Sequence, residues 1–281
     1  MHVRVVTDST ADLPPEVVEE LQITVVPLLV VFGDRVYRDG VDLTTEEFFR
    51  QLPSCQALPT TSQPSAGAFQ DTYTRLAAET NEVVSVHISG RLSGTCESAT
   101  QASRLLGGSP RVEVVDSLST SMGLGFQVMA AARAAQDGAS SEEVAATARS
   151  VGRRHRWLAL FETLEYLRKG GRIGRAQALL GSLLRIKPVL TLLDGEAHPV
   201  ARVRTRARAL DFIFRESMSH DEIEQVAVMH GTTPEDAKML AQRVRERLPD
   251  VPVYVGRIGP VIGVHGGPGI IGMVAVASEK D

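Results

Sequence analysis

The chain is poor in cysteine, in aromatic residues and in unbroken apolar runs. Its 281 residues include two cysteines, Cys55 and Cys96, one tryptophan and 5% aromatic residues in all. The two cysteines carry no metal-ligand spacing and form no disulfide framework, so free thiols are expected. The longest apolar run, Ile23 to Phe32, is interrupted by Thr24 and Pro27. It is too short to span a bilayer. The opening residues Met1 to Asp8 lack the apolar core of a secretory signal. A net charge of only −4 gives no sign of a nucleic-acid partner. The seven histidines include no H-x-x-x-H pair, and Asp8, Asp12 and Asp116 are too scattered to argue for a metal. No repeat or low-complexity tract is visible. The expectation is a soluble cytoplasmic protein with no stable membrane insertion, no metal and no cofactor.

A hydrophobic content of 43% supports a substantial core, and the length suits two domains. In the first part, short β runs alternate with helical stretches. Val3–Val6, Ile23–Val31, Val83–Ile88 and Val112–Val115 read as strands. Helices are expected from about Pro14, after a capping-box sequence at Thr44-Thr45-Glu46-Glu47, from Ser62-Gln63-Pro64-Ser65, and after Ser89–Thr95 and Asp116-Ser117. Such alternation implies a parallel sheet covered by helices, with ligands beyond the carboxyl ends of its strands. The pattern changes after about residue 152. Trp157–Phe161 reads as a strand, and Leu164–Lys169 and Arg175–Leu184 as short helices. Pro188–Leu193 and Ala197–Val203 flank Asp194-Gly195, a hairpin signal. Helices from about Arg206 and Pro234 and strands at Val226–Met229, Val253–Val255 and Ile270–Ala277 follow. The expected fold is α/β in two domains. Residues 1–152 form a three-layer α/β/α domain with a mainly parallel sheet. Residues 153–281 form a two-layer α/β domain with a mixed sheet.

Three Ser/Thr-rich segments precede expected helices: Asp8-Ser9-Thr10, Thr60-Thr61-Ser62 and Ser89–Thr95. Each alone is an ordinary helix cap. Together, free N–H groups and the positive helix ends suit a small anion or carboxylate, with Thr61, Ser62 and Ser93 adding hydroxyls. In Gly263-Val264-His265-Gly266-Gly267-Pro268-Gly269 one histidine sits within a glycine-rich loop, which points it at a ligand; His87, His155, His198, His220 and His230 read as structural. Ser93 is not in a G-x-S-x-G elbow, although an ester hydrolase using Ser93 and His265 remains an alternative reading. So does a binder of a small phosphorylated ligand. Gly267–Gly272 matches G-x-G-x-x-G literally, but it precedes a strand and lacks the acid about 20 residues on, so it is no dinucleotide site. From Arg153 to Arg215, 14 Arg/Lys stand against 5 Asp/Glu, which suits a solvated basic face or a surface for an anionic partner. Arg202 and Arg204 alternate onto one face of a strand end.

Val6–Leu13, Thr60–Ser65, Ser89–Thr95, Leu167–Gly174 and the His265 stretch, in this order over essentially the whole chain, resemble the DegV family. The resemblance implies a two-domain α/β protein with a fatty acid in a tunnel between the domains. It implies an acyl-binding subunit without catalysis of its own, served by a separate ATP-binding fatty-acid kinase subunit whose acyl-phosphate product feeds phospholipid synthesis. By motif, the carboxylate would meet Thr61 or Ser62, Ser93 and His265. Arg172 and the Arg202/Arg204 pair would face the kinase subunit.

Overall fold

The computed structural model describes residues 3–180, 186–220 and 222–279. In chain order its regular elements are β1 (Arg4–Asp8), α1 (Pro15–Glu20), β2 (Thr24–Val26), β3 (Leu29–Phe32), β4 (Arg35–Arg38), α2 (Thr45–Gln51), β5 (Thr60–Ser62), α3 (Ala66–Leu76), β6 (Glu82–His87), α4 (Thr95–Leu105), β7 (Arg111–Asp116), α5 (Met122–Gln136), α6 (Ser141–Arg154), β8 (His155–Leu160), α7 (Glu165–Lys169), β9 (Lys187–Leu193), β10 (Glu196–Val203), α8 (Arg206–Ser217), β11 (Ile223–His230), α9 (Pro234–Arg247), β12 (Val253–Arg257), α10 (Pro260–Gly266) and β13 (Ile271–Ala277). The chain forms two compact units, Met1–Asp42 with Thr61–Arg153, and Leu43–Thr60 with Arg154–Asp281. The division is not contiguous: the segment carrying α2 joins the second unit, which reading in chain order does not reveal.

The first unit is built on a parallel sheet of order β2-β1-β6-β7. Strand alternation sends Val6 and Val83 to one face, where they pack with Phe69, Tyr73 and Leu76 of α3 and Ala99 and Ala102 of α4. Val5 points the other way, beside Ala132 and Ala135 of α5. Helices therefore cover both faces, and the central strands β1 and β6 are buried along all but their first residue. The apolar stretch from Ile23 to Val31 is not one strand. It breaks at Pro27, which has no amide hydrogen to give a ladder. The amide of Leu28 turns instead to Ser9 Oγ at 3.1 Å. On one side β2 joins the parallel sheet; on the other β3 enters a separate sheet of order β4-β3-β5.

The second unit holds a mixed sheet of order β10-β9-β8-β13-β11-β12, antiparallel except for the β11/β12 pair. Leu158, Leu160, Val226, Val228, Ile271 and Met273 face α8 and α9 in one core with Leu210, Ile213, Leu240 and Val244. The β9–β10 hairpin turns at Asp194 and Gly195, both at positive φ (51° and 77°), the signature of a type I′ turn. The capping box before α2 is present: Thr44 Oγ1 accepts from the Glu47 amide at 3.2 Å, and Glu47 accepts from the Thr44 amide at 3.1 Å. The helix expected over Arg175–Leu184 is a 3-10 helix, Gly174–Leu179; residues 181–184 of that expectation lie outside the described residues.

Candidate functional site

The Ser9–Thr10 and Ser89–Thr95 segments leave the carboxyl ends of the parallel strands β1 and β6, and one buried side chain ties these two ends together. Asp8, the last residue of β1, accepts hydrogen bonds from the Thr10 amide (3.1 Å), the Thr10 hydroxyl (2.5 Å) and the Ile88 amide (3.0 Å). Its Oδ2 also lies 2.9 Å from His87 Nδ1. His87 Nε2 is 2.7 Å from Ser85 Oγ, which is 2.8 Å from the Tyr73 hydroxyl. Asp8 accepts from two amides and a hydroxyl, so His87 Nδ1 donates to it, and the hydroxyls of Ser85 and Tyr73 continue the hydrogen-bonded chain from Nε2. Burial pushes the Tyr73 phenol up, against the opposing pull of Ser85, and keeps it a donor. Asp8, Ser85, His87 and Tyr73 are all fully buried. This Ser–His–Asp relay is sealed, and every hydroxyl in it has a partner. Its role is structural, as expected for His87, but it reaches the Ile88 amide, where the Ser89–Thr95 loop begins.

That loop is wound tightly. The Ser89 carbonyl accepts from the amides of Leu92 (2.9 Å) and Ser93 (3.0 Å), and Ser89 Oγ accepts from the Arg91 amide (3.1 Å). The Gly90 amide donates to Asp116 Oδ2 at 3.1 Å. Half-buried Ser93 shares a hydrogen bond with the hydroxyl of Thr95, the first residue of α4, at 2.8 Å. The cap position of α4 is Gly94, which has no side chain to cap the first-turn N–H groups. An uncapped helix end presents free donors and about half a positive charge. Gly94 is where the Thr61–Ser62 segment meets the helix. A Cβ there would stand 2.5 Å from the Gln63 amide, and Gln63 Nε2 donates to Ser98 Oγ at 3.2 Å. Ser62 and Ser93 are thus the chain neighbours of two residues in direct contact. Thr61 is half-buried and Ser62 exposed. The expectation that Ser62–Ser65 opens a helix is corrected in detail: Thr60–Ser62 is strand, Ser65 is the cap, and Pro64 precedes the helix. A three-residue polar strand has no periodicity to read.

His265 belongs to the second unit and is not in a loop. It occupies the last turn of the short helix α10, which Pro260 opens. The glycines around it are closely packed within the unit. A Cβ at Gly263 would stand 2.5 Å from the Phe48 ring and 2.9 Å from Phe49, both on α2. Gly267, at φ 74°, lies against the ring of Tyr166, and the His265 imidazole lies against Gly170 at the end of α7. His265 keeps part of its surface exposed, yet its ring is packed closely enough for burial, and then the charge of Arg172, to push it down to about 4. It is a neutral imidazole at pH 7. Arg172 is half-buried and donates from Nη1 to the Gly170 carbonyl at 2.7 Å. Arg202 and Arg204, at the end of the edge strand β10, are exposed. The Phe48–Phe49 support of α10 has no signal in the sequence, because its two halves are far apart along the chain. The relay had one: Ser85 and His87 are polar residues on the same face of an otherwise apolar strand.

Among the described residues, no helix is long and apolar enough to cross a membrane. The architecture is that of a two-unit α/β protein whose parallel sheet presents hydroxyl-rich loops at an uncapped helix end. The chain belongs to the DegV family: the family model described as "Uncharacterised protein, DegV family" matches residues 2–278. A DegV domain-containing protein of Streptomyces coelicolor is 39% identical over 279 residues, spanning 97% of this chain and 98% of its own. Two solved structures share the fold. A fatty-acid-binding DegV family protein from Thermus thermophilus has a TM-score of 0.90 and 37% identity over 99% of this chain and 100% of its own. DegV of Bacillus subtilis, described as a fatty acid binding protein, has a TM-score of 0.90 and 32% identity over 99% of this chain and 100% of its own.

Proposed function

We propose that this chain binds a long-chain fatty acid, with Thr61, Ser62 and Ser93 meeting its carboxylate and His265 as a further head-group residue. The observation that carries this reading is the uncapped α4 terminus lined by Ser93 and Thr95 and abutted by the Gln63 segment. It is supported by likeness to the Thermus and Bacillus proteins, both described as binding fatty acids. The chemistry is self-consistent. A carboxylate removed from water without donors is costly. Hydroxyls and free helix amides offset that cost without a full cation. A C16 tail would contribute on the order of 12 kcal/mol gross at about 0.8 kcal/mol per methylene, reduced by ordering. Affinity then lies in the tail and orientation in the head group.

The finer part of the reading is that the protein performs no catalysis of its own and works in the cytoplasm. It presents the carboxylate to a separate ATP-dependent fatty-acid kinase subunit, whose product feeds phospholipid synthesis. Arg172 with Arg202 or Arg204 would form the partner-facing surface. No observation favours ester hydrolysis: the Ser93 hydroxyl is bonded to Thr95, and the Ser–His–Asp relay is sealed. Mass spectrometry of small molecules released from the denatured protein, with palmitate and oleate binding measured alongside, tests the reading. No released fatty acid together with no binding of either would overturn it.

A further inference from the structure

The side chain of Arg206 opens α8 and gathers four acceptors from three parts of the second unit. Nε donates to Asp236 Oδ2 at 2.7 Å, Nη2 to Thr233 Oγ1 at 3.0 Å, and Nη1 to both Glu162 Oε1 at 2.6 Å and the Gly269 carbonyl at 2.9 Å. A guanidinium offers five N–H donors in a fixed plane, and four of them are used here. The Arg206 side chain is only 23% exposed. Glu162 is engaged a second time by Lys187. Burial would raise the Glu162 carboxyl, but hydrogen bonds from Lys187 and Arg206 outweigh it and hold the group below its ordinary range. The other side of the Gly269 residue is held as well, its amide donating to Thr232 Oγ1 at 3.0 Å.

The two Nη1 contacts are what connect this cluster to His265. Gly269 ends the turn that leaves α10 immediately after His265. Glu162 begins the segment that becomes α7, and α7 ends in Gly170, the surface on which the His265 ring lies. Gly269 and Glu162 also touch directly: a Cβ at Gly269 would stand 2.6 Å from Glu162 Cγ. One nitrogen therefore holds both the helix that carries the imidazole and the floor beneath it. We infer that Arg206 is a positioning residue, which fixes the spacing between α10 and α7 and so sets the place of the His265 imidazole. Its effect on any ligand rests on the head-group reading above; its effect on His265 does not.

The experiment is a histidine NMR titration of the full-length protein, with the His265 signal assigned by its loss in H265Q. In R206M the two contacts of Nη1 are gone, and the imidazole should titrate roughly one pH unit or more above its wild-type position as its packing loosens. R243M is the control. Arg243 is a comparable pairing residue in the same unit, bonded to Asp211 at 2.8 Å and stacked on Phe214, away from His265. It should lower stability without moving the His265 titration. If R206M does not fold, R206K, which loses the planar fork of donors, and E162Q, which loses the charge, should shift the signal in the same direction by less. An unchanged His265 titration in folded R206M, or in both milder variants, overturns the inference, as does an equal shift in R243M. Separately, the preference for palmitate over palmityl alcohol should fall in R206M and H265A together. A wild-type protein with no such preference removes the head-group reading and leaves the titration to decide the role of Arg206.

Discussion

The imidazole of His265 rests on Gly170, and no side chain could stand between them: a Cβ at Gly170 would fall on Nδ1 and within 2.8 Å of Cε1. Gly170 is at the C-cap of α7 with ordinary helical φ, so alanine is allowed there by the dihedral angles; its Cβ would sit tight against the Tyr166 carbonyl at 3.1 Å, and the ring is the severe obstruction. Gly170→Ala should cost about 1–3 kcal/mol, the usual range for overpacking, and urea unfolding would read it. In the double variant Gly170→Ala/His265→Ala the cost should largely vanish. A cost that persists undiminished would place the clash elsewhere.

A pH dependence of stability follows from the same contact. His265 stands at about 4 in the folded protein, against an ordinary 6.5. The unfolded chain therefore binds a proton in this interval that the folded chain refuses. The stabilising contribution is complete above about pH 6.5 and is lost as pH falls from there through 4. Its upper size is on the order of 3 kcal/mol. Urea unfolding at pH 7.0, 5.5 and 4.5 should show wild type losing more stability than H265Q across that range, since other carboxylates contribute alike to both. Parallel pH profiles would remove the depressed imidazole.

Much of the fold was legible in the sequence because each element carries its own period. The strands at β1, β6, β7, β11 and β13, the Asp194-Gly195 turn and the Thr44/Glu47 cap depend on local spacing and fall where they were expected. What escaped depends on distance. α10 is a seven-residue helix rich in glycine, held by Phe48 and Phe49 of α2, and neither half announces the other. Of its two glycines, Gly263 packs on those rings and Gly266 lies against Ile270. β5 reads from the sequence only as a polar segment ahead of a helix, because three polar residues have no period, and Gln63 packed on Gly94 shows what the segment does. The Ser/Thr loops of β1 and β6 were recognised, but not that Asp8 bonds both of them.

At the uncapped end of α4, removing a single hydroxyl should act on the head of the ligand and not on its tail. Ser93→Ala removes a donor whose bond to a charged oxygen is worth about 1.5–3 kcal/mol, or roughly 10- to 150-fold. Palmitate affinity should fall within that range, while palmityl alcohol affinity changes little. Thr61→Ala should act in the same sense. An equal loss for acid and alcohol would place Ser93 on the tail.

Under the proposed function, Arg172 should separate ligand binding from partner engagement. Its guanidinium is tied to the Gly170 carbonyl at 2.7 Å, half-buried, with a face left to solvent. Under the proposed function, Arg172→Ala should leave palmitate affinity within about twofold and lower acyl-phosphate formation with a fatty-acid kinase subunit by tenfold or more, the scale of one charge-assisted contact. The His265 titration gives an internal control. Arg172 contributes to the depression of the imidazole, so the variant should raise the His265 titration slightly even if no kinase is present. Collapse of palmitate binding in folded Arg172→Ala would move the residue from the partner surface to the ligand. Unchanged phosphorylation with a shifted His265 would leave it an electrostatic neighbour of the imidazole and nothing more.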